Sequence, residues 1–224
     1  MDTLLPDECR ALGTLIEKAM TTPGQYPLSL NGLVTGINQK SNRDPVVEID
    51  EDRTLRAVDG LRTKGLVRDV SFTGSRVEKY RHVIGETLGL RAPEQALLAE
   101  LLLRGPQTVG ELRGRASRMQ PFESIEAVEN VLRALAAREY PLVKEIAPTP
   151  GSRAPRWMQL LAPDLHPLGS QPFASDHASS DVSTESRQQS RVSLDATRVV
   201  ALETRVDALE QALKALRAEL GLPN

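Results

Sequence analysis

Residues 66–83 read LVRDVSFTGSRVEKYRHV, two runs of alternating character on either side of Thr73-Gly74-Ser75. Leu66 to Phe72 and Arg76 to Val83 alternate apolar with polar side chains, the period of a half-buried strand, and the glycine suits a tight turn. The stretch therefore predicts a β-hairpin. What precedes it has the helical period instead. Pro6 to Met20 puts Leu12, Leu15, Ile16 and Ala19 on one face, with Asp7 and Glu8 in the first turn, where negative charge suits the helix dipole. Thr22-Pro23-Gly24 ends that helix. Ser29 can cap a second, carrying Leu30, Leu33, Val34 and Ile37, in which Gly32 and Gly36 allow close packing. Asp50 can cap a third that runs to Lys64, with Leu55, Val58 and Leu61 inward and Gly65 as its stop. Three helices followed by a hairpin is the order of a winged-helix domain.

The order then recurs, and an internal repeat constrains the whole architecture. Pro93 to Arg104 matches the first helix, Thr108 to Ser117 the second and Ser124 to Arg138 the third. Pro141 to Ile146 and Arg156 to Leu161 supply the two strands. Turn residues agree as well: Gly74-Ser75-Arg76 in the first copy, Gly151-Ser152-Arg153 in the second. The expectation is a mostly α chain with small β-hairpins, in the α+β class, built from two tandem winged-helix domains over residues 1–85 and 86–162. From Pro163 the composition turns to Ser, Gln, Asp, Pro and Gly, so residues 163–193 are expected to be a disordered linker. Val199, Leu202, Val206, Leu209, Leu213, Leu216 and Leu220 recur at spacings of three and four, which predicts a coiled-coil helix over 194–221. Valine at a, leucine at d, and the pairs Arg198 with Glu203 and Arg205 with Glu210 favour a parallel homodimer. A helix folding back on the domains is the alternative.

Aromatic residues make up only 3% of the 224, so the cores must be aliphatic. The formal net charge is −2, so any nucleic-acid surface has to be a local patch. Cys9 is the only cysteine, which excludes an intramolecular disulfide and a thiolate zinc cluster; on a helix face it reads as core. His82, His166 and His177 have no ligand-like spacing, and no phosphate loop, dinucleotide fingerprint or nucleophile elbow occurs. No enzyme, cofactor or metal is expected. No stretch approaches the roughly 18 apolar residues of a membrane span, and the start lacks a signal-like apolar region, so a cytoplasmic chain is expected.

Residues 21–31, TTPGQYPLSLN, and 38–46, NQKSNRDPV, with Gly74-Ser75-Arg76-Val77 and Leu101-Leu102-Leu103-Arg104-Gly105, resemble the YceH-like family of uncharacterised bacterial proteins. The resemblance covers roughly Leu4 to Leu161. It implies a pair of winged-helix domains and no established activity. Leu5 and Ala92 stand where relatives place Thr or Ser ahead of the first and fifth helices, a loss of about 1 kcal/mol each.

Two surfaces are candidates for function. Opposite the inward positions of the third helix stand Arg53, Arg56, Gly60 and Lys64, and the hairpin adds Arg76 and Lys79; together they suit double-stranded DNA, with the helix in the groove and the hairpin on the backbone. Asp52 and Asp59 flank that face and repel phosphate. The second domain offers the mixed face Glu126, Asn130, Arg133 and Ala137. The other candidate is the polar segment Asn38 to Pro45, where Lys40, Asn42, Arg43 and Asp44 form an interaction surface. Its structural reading is that Asn and Asp bond nearby backbone, or that Arg43 and Asp44 enter a buried ion pair. The leading expectation is a DNA-binding protein of the transcription-regulator type; the alternative is a protein-interaction module that binds no DNA.

Overall fold

Four hydroxyl or carboxylate side chains turn loops into helices. Ser29 Oγ accepts from the Gly32 amide at 3.2 Å, Asp50 Oδ1 from Arg53 at 2.8 Å, Thr108 Oγ1 from Glu111 at 3.3 Å and Ser124 Oγ from Ala127 at 3.1 Å. Each satisfies one of the amides a helix start leaves open. The computed structural model describes residues 3–71, 77–149 and 151–165. Over these the order is α1 (Pro6–Thr21), β1 (Leu28–Ser29), α2 (Leu30–Ile37), α3 (Glu51–Thr63), β2 (Val67–Val70), β3 (Lys79–His82) and α4 (Ile84–Leu88), then α5 (Ala92–Arg104), β4 (Gln107–Thr108), α6 (Val109–Ala116), α7 (Ile125–Ala136), β5 (Val143–Ile146) and β6 (Arg156–Gln159). The described chain is mostly helical, with small antiparallel sheets, in the α+β class.

The two halves match beyond their helix order. Each folds a three-stranded antiparallel sheet, β1-β3-β2 and β4-β6-β5. Leu28 stands opposite Tyr80 and Gln107 opposite Trp157, so equivalent positions meet in both sheets. The two-residue strands β1 and β4, and α4, were not expected: so short a strand offers no alternation to read. The expected hairpin strands are shorter than drawn, and residues 72–76 between them lie outside the described residues.

Helices α1 and α5 lack a capping hydroxyl, as expected, but a glutamate compensates. Glu8 Oε2 accepts from the Leu5 amide at 2.7 Å and Glu94 Oε2 from the Arg91 amide at 2.6 Å, the glutamate half of a capping box. The cap of α5 is thus Arg91, one residue before the Ala92 expected.

Amphipathic periodicity understates α1. All ten residues from Glu8 to Glu17 are buried, because α5 lies against the side that the first repeat leaves open. Gly13 permits this approach: a Cβ there would stand 2.9 Å from Leu103 Cγ. The Leu4 amide also donates to the Leu161 carbonyl at 2.7 Å, joining the start of one repeat to the end of the other. One apolar core, from Leu4 to Ala162, takes side chains from both repeats, and the described residues fall in one compact unit. Cys9 lies in that core, fully buried, and burial pushes its thiol up to about 12.

One inward assignment is corrected. Leu55 is 39% exposed, and α3 buries Thr54, Ala57, Val58 and Leu61 instead. Thr54 fits a buried position because its hydroxyl donates to the Asp50 carbonyl at 2.8 Å. The rest of the linker after Leu165, and the coiled-coil positions Val199 to Leu220, lie outside the described residues. Among the described residues no helix is long and apolar enough to cross a membrane.

Candidate functional site

The segment after α2 is closed by its own side chains. Asn38 Nδ2 donates to the Ile49 carbonyl at 2.8 Å while its Oδ1 accepts from the Ile49 amide at 2.9 Å, copying a backbone pair. Asn42 takes φ 58°, a left-handed value that asparagine tolerates, and this turns Arg43 inward. Arg43 is 5% exposed. Its guanidinium donates to Glu17 Oε2 at 2.5 Å and Oε1 at 3.2 Å, to the Gly36 carbonyl at 2.7 Å and to the Asn42 carbonyl at 2.9 Å. The Asp44 amide donates to the Leu103 carbonyl, and Arg10 donates to the Leu103 and Pro45 carbonyls. The buried-ion-pair reading of Arg43 is the one realised, with Glu17 as partner and not Asp44. As an accessible contact, Arg43 is therefore corrected to an internal group. Asn42 and Asp44 are half-buried, and Lys40 is exposed.

Glu17 serves both repeats. Arg118, just past α6, places Nη1 2.5 Å from Glu17 Oε1 and Nη2 2.7 Å from Glu100 Oε1 of α5. Burial pushes the Glu17 carboxyl up, but Arg43 and Arg118 outweigh it and hold it below its ordinary value. Burial and the Arg43 charge pull Arg10 down to about 10, so it stays protonated at neutral pH. The run Arg43–Glu17–Arg118–Glu100 is a buried ion network across the two repeats. Sequence reasoning passed over Glu17, Glu100 and Arg118. A signal was present: each glutamate interrupts an apolar helical run, Leu15-Ile16-Glu17 and Leu97-Leu98-Ala99-Glu100, and a charge buried there needs a partner.

The cations assigned to DNA do not come together on one face. Arg53 Nε and Nη2 both reach the Asp7 carboxylate at 2.9 Å. Lys64 Nζ is 2.7 Å from Glu8 Oε1, and Glu8 lies over Gly60, so these three positions face the start of α1. Arg56 is exposed and, among the described residues, makes no hydrogen bond or ion pair. Lys79 lies on β3, half-buried, and Arg76 lies outside the described residues. The outward side of α3 shows Asp52, Leu55, Arg56, Asp59 and Thr63, with Arg62 held by Asp59 and Asp69. In the second repeat Glu126, Asn130 and Arg133 are exposed on α7 and Ala137 at its C-terminal cap, as expected, with Arg133 paired to Glu129 of its own helix.

Other features carry less chemistry. A cleft of about 550 Å³ is lined by Thr87, Leu88, Arg138, Glu139, Tyr140 and Leu142, with Arg138 donating to the Leu88 carbonyl. His82 lies beside Tyr26, whose hydroxyl accepts from the His82 amide; burial and Arg81 lower its imidazole to about 4, so it is neutral at pH 7. Among the described residues no three His, Cys, Asp or Glu side chains gather as metal ligands.

Fold and site together define a two-repeat α+β protein whose halves share one core and one buried ion network. The chain belongs to the family described as "Protein of unknown function, DUF480", which it matches over residues 4–152. It is 54% identical over 163 residues to a UPF0502 protein of Geotalea daltonii, covering 72% of this chain and 74% of that one. A UPF0502 protein of Citrifermentans bemidjiense is 52% identical over 171 residues, 75% of this chain and 79% of its own. The similarity thus lies with a family of uncharacterised bacterial proteins, consistent with the resemblance carried by the sequence motifs.

Proposed function

We propose that each repeat is a winged helix and that the chain acts as a protein-interaction module whose contact face is the outward side of α3. The observation that carries this is the composition of that side. Asp52 and Asp59 bracket Arg56 beside a 39% exposed Leu55, while Arg53 and Lys64 are held against α1. A helix entering the major groove needs cations and base-edge donors outward, whereas an apolar residue ringed by mixed charge suits a protein partner. The element order of three helices and an antiparallel sheet supports the winged-helix reading of each repeat, but a fold does not carry a function with it. The coiled coil proposed for Val199 to Leu220 would present two such modules, and light scattering of the full chain should then give twice the chain mass.

The test is a photo-crosslinking residue at Leu55 in the living cell, run beside fluorescence anisotropy of the purified chain on random-sequence duplex DNA. A discrete protein adduct that disappears in Asp59→Lys, together with weak duplex binding, supports the proposal. The competing reading rests on Arg56, an exposed cation of α3 that makes no ion pair among the described residues. Duplex binding that falls about a thousandfold between low and physiological salt and is lost in Arg56→Ala would replace the protein partner with DNA.

A further inference from the structure

The structure assigns an oxyanion-binding site, for a ligand of the phosphate class, to the arginine cluster of Arg104, Arg115 and Arg118. Arg104 is the last residue of α5. It is half-buried, its Nε is buried without a partner, and among the described residues its guanidinium makes no hydrogen bond or ion pair. Arg115 is aimed from α6 by a buried amide: its Nη1 lies 2.8 Å from Gln107 Oε1. Gln107 is 1% exposed, and its Nε2 donates to the Glu100 carbonyl at 3.1 Å and to the Gly105 carbonyl at 3.4 Å, which fixes Oε1 towards Arg115. Arg118 approaches the same stretch of α5 through Glu100.

The carboxylates nearby are mostly engaged. Glu17 is shared by Arg43 and Arg118, Glu100 Oε1 is held by Arg118, and Glu111 meets Arg115 at 3.3 Å. Asp44 is the remaining one acting on Arg104. Burial first, then the charge of Arg115, lowers the pKa of Arg104, and an anion between the two guanidinium groups offsets both effects. Glu100 Oε2, buried and unpartnered one turn before Arg104, repels an anion from the inner side. The ligand therefore approaches Arg104 from the side of Gly105 and Gln107, where Arg115 is held. Planar guanidinium groups bind oxyanions through paired N–H donors, and a tetrahedral phosphate offers enough acceptor oxygens for more than one of them. A metal cation is repelled by the same cluster.

The probe is inorganic phosphate, added to the full-length chain and followed by ³¹P line broadening and by thermal unfolding against sodium chloride of equal ionic strength. Phosphate stabilises many proteins generically, so the informative quantity is the part that Arg104→Gln removes. At tenfold excess over Kd, phosphate should raise the melting temperature of the wild type by about 3–6 °C more than that of Arg104→Gln, and Arg115→Gln should lose the same increment. Displacement of the ³¹P broadening by a short duplex would identify the phosphate as that of a nucleic-acid backbone. Failure of the duplex to displace it would identify a small free ligand; either result keeps the site. Equal broadening by wild type and Arg104→Gln, or none by wild type, overturns it. Arg104→Lys keeps the charge without the planar pair of donors. Weakened rather than abolished broadening with Arg104→Lys supports the geometry, and unchanged broadening removes it.

Discussion

The α2–α3 connection and the α6–α7 connection occupy equivalent places in the two repeats and treat their arginines differently. Residues 38–50 fold inward so that Arg43 finds Glu17 and two carbonyls and almost leaves solvent. Residues 117–124 stay outside, and Arg118 reaches in with 28% of its side chain still exposed. Both end on one carboxylate. Repetition of a fold thus does not repeat its chemistry: the repeats share helix order and register, while the arginines that join them come from connections where the copies diverge.

Removing the common carboxylate should therefore hurt more than removing anything else named above. Glu17→Gln strands two buried or half-buried cations, and a loss of about 3–5 kcal/mol in denaturant unfolding is expected. If Arg43→Gln leaves the stability unchanged, the contribution of Arg43 to the network is negligible and the comparison fails. Next comes the helix crossing. Gly13→Val puts carbon where Leu103 already lies, so a loss of about 1–3 kcal/mol is expected by the same measurement. Lys64→Met leaves the 2% exposed Glu8 with only its cap to Leu5, a loss of about 1 kcal/mol, whereas Arg53→Met should leave the melting temperature unchanged because its pair with Asp7 is exposed.

A smaller effect separates the strand from the network by pH. His82 is lowered from 6.5 to about 4, so its unfolded form binds a proton first; its contribution is whole above pH 6.5 and is lost as pH falls towards 4. Glu17 is also lowered, so its contribution is whole above the ordinary carboxylate range and is lost only as pH drops through its folded value. Melting temperature against pH should then show two successive declines. His82→Gln should remove the upper one and spare the lower.

Much of the fold was legible because its signals are local. Ser29, Asp50, Thr108 and Ser124 announce helix starts, and all four cap where their positions indicate. The site was less legible. Leu55 and Val58 satisfy the same periodicity, and only the rotation of α3 about its axis leaves Leu55 outside and Thr54 inside. Arg53 and Lys64 looked free because their partners, Asp7 and Glu8, belong to α1, more than forty residues away in sequence. Segment 38–45 looked like surface because polarity normally means solvent. Its inward turn depends on Glu17, whose need for a partner arises only once α5 has covered α1.

The sequence by itself determined α1 to α3 and α5 to α7, the four side-chain caps, the order of these helices and the repeat, since each depends on residues a few positions apart. The tertiary structure decided that the two repeats share one core, that Arg43 is internal and that α3 turns acidic side chains outward. These outcomes depend on which distant surface removes a charge from water, and an ion in a low-dielectric interior is stable only beside the partner that packing delivers to it.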